Sequence, residues 1–136
     1  MAETRQAILG TRKAMATIAV KDVEVARKFY QEILGLEPTG PDEPGVVTLA
    51  SANTLVLVYE SQYAGTNKAT AATWTIESDA EGGIEGVVAA LREKGVSFEH
   101  YDFPGGTRQG DVHIFGRIRN AWFKDPDGNI LSIVSQ

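Results

Sequence analysis

Four side chains able to move a proton or hold a metal lie close together in this sequence: His100, Asp102, Asp111 and His113. A histidine beside carboxylates can act as an acid or base near neutral pH. As a ligand set the four are weak. Their spacing follows no metal pattern, and Pro104, Gly105 and Gly106 between them carry no ligand side chain. His100 and His113 are also the only histidines, and cysteine is absent. Thiolate zinc sites, iron–sulfur clusters, disulfide scaffolds and cysteine nucleophiles are therefore excluded, as is any centre needing three imidazoles from one chain. Gly105-Gly106 is no phosphate cradle, because the lysine–serine pair and the strand-to-helix setting are missing. Tyr101 and Arg117 join His113, Asp102 and Asp111 as polar groups on this loop side, and Arg117 and Arg119 read as a wet strand edge or as partners for an anion.

The chain that must position these groups has 136 residues, a formal charge of -5 and 43% hydrophobic residues. That suits one soluble globular domain. The acidic balance disfavours nucleic acid and is mildly compatible with a cationic ligand. Met1 to Lys13 lacks the apolar stretch of a signal peptide, and no apolar run approaches the roughly 20 residues of a membrane span. A cytoplasmic protein without membrane contact is expected.

Ala14 to Val20 reads as a strand. Asp22 is a good N-cap for a helix over 22–34, whose stripe is Val23, Ala26, Phe29, Tyr30 and Ile33, with Glu24–Lys28 and Lys28–Glu32 pairs on the wet side. Gly35 stops it. Gly40-Pro41-Asp42 and Glu43-Pro44-Gly45 read as turns, and Val46 to Ala50 and Thr54 to Glu60 as strands. The pattern then recurs: a strand over Thr70 to Glu77, a helix with Ile84, Val87, Val88 and Leu91 on one face, a stop at Gly95, β character over Val96 to Tyr101, a Gly-rich loop over 103–111, and strands over 118–123 and 130–134 around Asp125-Pro126-Asp127-Gly128-Asn129. Ile18–Val20 matches Trp74–Ile76, Gly35 matches Gly95, and Asn53–Val56 matches Asn129–Ser132. The chain is a degenerate two-fold repeat of a βαβββ unit, its offset growing through insertions at Ala80 to Gly83 and over 103–111.

Two stretches, AVKDVEVARKFYQEILGLEP and FKDPDGNILSIV, resemble the opening and the close of the vicinal oxygen chelate superfamily, which includes glyoxalase I, bleomycin-resistance proteins, fosfomycin-resistance enzymes and extradiol dioxygenases. The resemblance spans residues 14–136. It implies an α+β fold of two βαβββ modules, 14–61 and 69–136, forming curved mixed sheets around a cavity with helices outside, preceded by a tail over 1–13. Metal-using members carry His or Glu on the first strand of each module and Glu or Gln on the last. The matching positions here are Met15, Ala71, Val56 and Ser132, and their neighbours are equally poor ligands. The resemblance therefore implies a member with no metal and no cofactor.

Alternation along the strands then marks a cavity face. Met15, Thr17 and Ala19 are expected there, with Thr54, Val56 and Val58, with Ala71, Thr73 and Thr75, and with Ile130, Ser132 and Val134. Trp122 and Asn120 are expected to face the ligand, and Trp74 to pack in the core. The expected ligand-binding set is Met15, Thr17, Val56, Thr73, Asn120, Trp122 and Ser132. Such a bowl suits an uncharged or aromatic small molecule. The sequence thus points to a metal-independent binding protein that sequesters a drug or metabolite, as a homodimer. The alternative is a metal-free lyase or isomerase using His113, and a metal-dependent glyoxalase or dioxygenase is disfavoured.

Overall fold

The computed structural model describes residues 8–77, 80 and 82–135, so residues 1–7 of the expected tail lie outside it. The first βαβββ unit begins with β1 (Ala16–Val20) and α1 (Val23–Arg27), which runs on as a π-helical turn over Lys28–Ile33. β2 (Glu37–Glu43), β3 (Val46–Ser51) and β4 (Thr54–Glu60) complete a sheet ordered β1-β4-β3-β2, in which only β1 and β4 run parallel. The second unit has β5 (Thr70–Thr75), α2 (Gly83–Glu93), β6 (Phe98–Glu99), β7 (Thr107–Gln109), β8 (Val112–Phe115), β9 (Ile118–Lys124) and β10 (Ile130–Ser135). Its sheet is ordered β5-β10-β9-β8-β7, and β6 also pairs with β9.

The helix signals act as expected. The Asp22 carboxylate caps α1 by accepting the Glu24 amide at 2.8 Å. Gly35 and Gly95 both take positive φ just past their helices. Glu24 meets Arg27 at 3.3 Å instead of the expected Lys28. The expected turns at 40–45 are largely strand: β2 extends to Glu43. It tolerates Pro38 and Pro41 because it is a sheet edge, with a register break between Thr39 and Glu43. The expected strand over 96–101 shrinks to Phe98–Glu99, and the expected loop over 103–111 folds in part into the β7–β8 hairpin.

Both helices pack on one side of the sheets, over a continuous core of Ile18, Val20, Phe29, Tyr30, Leu49, Val58, Ile84, Phe123, Leu131 and Ile133. β1 and β5 lie against each other where the sheets meet. A polar clasp closes this junction. The Tyr30 hydroxyl donates to Asp125 Oδ2 at 2.6 Å, and the Asn129 amide donates to Asp125 Oδ2 and to the Ala19 carbonyl, both at 2.8 Å. Asp125 Oδ1 accepts the backbone amides of Asp127 and Asn129. The DPDGN turn therefore ties β10 to β1 and to the first helix. Burial, with the Asp125 charge beside it, pushes the Tyr30 phenol well above its ordinary pKa, so it stays a donor.

Candidate functional site

The helix-free face of the second sheet carries Asn120 and Trp122 on β9, Ser132 on β10, Thr73 on β5 and His113 on β8. Ser132 pairs in register with both Trp122 and Thr73, and His113 with Asn120. Their sequence neighbours Ala121, Phe123, Leu131 and Ile133 are all in the core, as alternation requires. Trp74 packs against the core and donates its indole N–H to Ser51 Oγ at 3.0 Å. The two tryptophans thus occupy opposite faces.

The residues after β6 turn back over this face and bring five rings together. Trp122 meets His113 edge-on at 4.9 Å, Tyr101 edge-on at 5.4 Å and Phe103 stacked at 5.3 Å. Phe103 also meets Phe115 at 5.3 Å. Beside them lies a cavity of about 270 Å³, lined by Tyr101, Asp102, Phe103, Gly106, Thr107, Arg108, His113 and Phe115. Trp122 sits behind Phe103 rather than in the wall, its indole N–H on Thr70 Oγ1 at 3.1 Å. Pro104, Gly105 and Gly106 let the chain turn here, and Gly106 is required: a Cβ on it would come within 2.6 Å of the Phe115 ring.

His113 is 2% exposed, and its Nε2 accepts the Tyr101 backbone N–H at 2.9 Å. That bond needs a lone pair on Nε2, so the ring is neutral with its proton on Nδ1. Burial lowers its pKa, partly offset by backbone hydrogen bonds at Asn120 and Tyr101, while His100 and Arg108 nearby add to the lowering. The Tyr101 hydroxyl is buried without a hydrogen-bond partner. An unpaired buried donor costs about 1–3 kcal/mol. Burial, and then Glu99, raise the Tyr101 pKa, so its hydroxyl keeps its proton. His100 stands at the surface with its ring 6.2 Å from that of His113; it meets Asp111 at 2.7 Å, and Asp111 also pairs with Arg92 at 3.4 Å. Of the His100, Asp102, Asp111 and His113 set, His113 and Asp102 line the cavity and His100 and Asp111 pair at its outer side. Arg119 is held by Glu85 at 3.0 Å.

Of the expected site residues, Thr73, Asn120, Trp122 and Ser132 share this face, and Met15, Thr17 and Val56 do not. Thr73 and Ser132 join their hydroxyls at 2.8 Å on the second sheet, and the Asn120 amide is bonded to the Ile133 carbonyl. Met15 is exposed beside a second cavity of about 570 Å³ with Thr54 and Leu55, and Thr17 is exposed on β1. Val56 is a correction. It lies in the core with Val58, because the β1–β4 register aligns Ala16 with Val56 and Ile18 with Val58. The cause is turn length: Ser51 pairs with Thr54 across Ala52 and Asn53, whereas Lys124 pairs with Ile130 across Asp125 to Asn129. Counting three residues from Asn53 and from Asn129 therefore reaches opposite faces. The open-face residues of β4 are Leu55, Leu57 and Tyr59. Phe103 and Phe115 were absent from the expected site. Their signal was present as period-two aromatic spacing, Tyr101 with Phe103 and His113 with Phe115.

The corrected positions bear directly on metal chemistry. Met15 or Thr17, Leu55 or Leu57, Ala71 or Thr73, and Ser132 offer no carboxylate, imidazole or thiolate, a donor set that does not fit a divalent ion. Among the described residues no three His, Cys, Asp or Glu side chains are grouped to hold a metal.

The model of the Glyoxalase/Bleomycin resistance protein/Dioxygenase superfamily matches residues 13–133. The chain belongs to this superfamily. Solved structures share its fold. One is an integron cassette protein from the mobile metagenome of Halifax Harbour sewage outfall (23% identity, 93% of this chain and 99% of that one, TM-score 0.65). A second is TnmS3, an antibiotic binding protein from Streptomyces sp. CB03234 (22%, 94% and 98%, TM-score 0.60). A third is lactoylglutathione lyase from Agrobacterium tumefaciens (15%, 92% and 93%, TM-score 0.63). No curated protein matches the sequence. Among the described residues of this superfamily member, no helix is long and apolar enough to cross a membrane.

Proposed function

We propose that this member of the superfamily is a metal-independent binding protein for a planar aromatic small molecule, held at the ring cluster of the second sheet. The observation that carries this reading is the convergence of Tyr101, Phe103, His113 and Phe115 on one cavity, with Trp122 behind Phe103. Aromatic walls favour flat apolar ligands, each ring pair adding about 0.5–1.5 kcal/mol beyond area burial. The unsuitable donors at the metal positions support the metal-independent part, and the fold shared with TnmS3, an antibiotic binding protein, is in keeping with sequestration. A lyase or isomerase role for His113 is less well supported, because its Nε2 is taken by the Tyr101 amide. His113→Gln would abolish turnover in an enzyme, whereas a protein that only sequesters its ligand shows no turnover in either form.

A thermal-shift series with planar aromatic antibiotics, aromatic metabolites and divalent metal salts tests the reading. A native-state ligand raises the unfolding midpoint by mass action. Aromatic compounds should raise it and metal salts should not. Stoichiometric zinc, iron, manganese or nickel in the purified protein would overturn the proposal. The homodimer belongs to the same reading: Met15, Leu55 and Tyr59 leave apolar surface exposed on the first unit. Light scattering at micromolar concentration should give twice the chain mass, and a monomer would refute it.

A further inference from the structure

We infer that a second ligand site lies on the helix side of the fold, in a trough between the π-helical turn after α1 and α2, and that it takes an alkyl carboxylate with its chain inward and its head on Lys94. This site is independent of the aromatic one, which lies on the opposite face of the second sheet.

The trough follows from how the helices are seated. Among the described residues α1 rests on β3 and β4, and α2 on β9 and β10, with no comparable packing of one helix on the other. Two adjoining cavities of about 220 and 330 Å³ lie here, and Leu34, Val87 and Leu91 line both. The inner one reaches the core at Leu36, Phe123 and Ile133, all buried. The outer one opens at Ala90 and Lys94, both exposed. Trp74 stands in the inner wall, and its one polar atom is already bonded to Ser51 Oγ at 3.0 Å, so the indole adds apolar surface. Ile33, Leu34, Trp74, Ile76, Val87 and Leu91 all pack on the core yet stay only partly buried. Covering such a continuous apolar surface removes it from water, which is what an alkyl chain would do.

Charge selects the head of that chain. Among the described residues Lys94 is the one charged side chain lining either cavity; Glu32 and Glu93, its neighbours, line neither. Its Nζ lies 3.4 Å from the Glu32 carbonyl oxygen, a neutral acceptor, and no carboxylate of the described residues pairs with it. The lysine stem can lie along the apolar wall and keep its ammonium at the rim. A carboxylate at that rim gains a charge-assisted hydrogen bond, and an ammonium head would be repelled. A path from buried core to exposed cation therefore matches an amphiphile with an anionic head.

The test is calorimetric titration of the wild type with octanoate, 1-octanol and octylammonium, which share a chain and differ in the head. Affinity should fall in that order, by about threefold or more at each step. The protein's net charge of -5 favours the reverse order, so non-specific attraction does not imitate this result. Lys94→Gln, at an exposed position, should abolish the ranking while octanol binds as before. Val87→Phe, which fills the trough where the cavities join, should weaken all three by about tenfold or more. If that variant fails to fold, Lys94→Gln decides. The inference is overturned if octanoate does not bind, if it binds no more tightly than octanol or octylammonium, or if the ranking survives Lys94→Gln. Undiminished binding by a folded Val87→Phe protein overturns it as well. Each of these results leaves the aromatic site standing.

Discussion

Individual residues divide into those that hold the fold and those that face the cavity. Tyr30 and Asp125 belong to the first kind. Tyr30→Phe removes the 2.6 Å bond to Asp125 and should cost about 1–3 kcal/mol in denaturant unfolding. The phenol's raised pKa adds a sign. The unfolded chain ionises near the ordinary value of 10.0 and the folded one does not, so wild-type stability should fall as pH climbs past about 10, and less in Tyr30→Phe. His113 acts at the other end. Its pKa lies below the ordinary 6.5, so below about that pH the unfolded chain takes up a proton that the folded one resists. Stability should decline as the solution is acidified through that range, and His113→Gln should flatten the slope. The FY and DPDGN residues were legible in the sequence as signatures. Their role as a clasp between the units was not, since it depends on a hydrogen bond joining residues 95 positions apart.

At the scale of elements, helices and stops were readable because capping and left-handed glycines are local. The open face of β4 was not. Two turns that look alike in sequence, at Asn53 and Asn129, close over different numbers of residues, and a one-residue slip exchanges the faces of a strand. The β7–β8 hairpin was hidden for a related reason. Its strands are short, and only tertiary contact with β9 distinguishes them from loop. Two glycines test the loops that frame the molecule. Gly65 has φ +72°, and a Cβ there would overlap the Asp127 carbonyl. Gly65→Ala should therefore destabilise by about 2 kcal/mol or more, read as a lowered unfolding midpoint. Gly106→Ala should instead displace Phe115 and loosen the ring cluster. It should shift the near-ultraviolet aromatic dichroism and weaken aromatic ligands, with little change in far-ultraviolet signal.

The whole molecule is a superfamily fold whose metal positions bear Met, Leu, Ala, Thr and Ser, and whose second sheet has an aromatic cluster on its open face. Two like units give two open faces with different surfaces: exposed Leu55 and Tyr59 on the first, and on the second a half-buried Trp122 beneath Phe103. The chain after β6 makes this difference, because it brings Tyr101 and Phe103 onto Trp122. The central claim is that aromatic binding occurs at Trp122 and needs no metal. The most direct measurement is calorimetric titration of chelator-treated protein with 2-acetylnaphthalene, in the wild type and in Trp122→Ala. We expect binding by the wild type, unchanged on adding zinc, and an affinity about tenfold or more lower in Trp122→Ala. Binding that appears only after metal is restored, or that survives Trp122→Ala undiminished, would contradict the account.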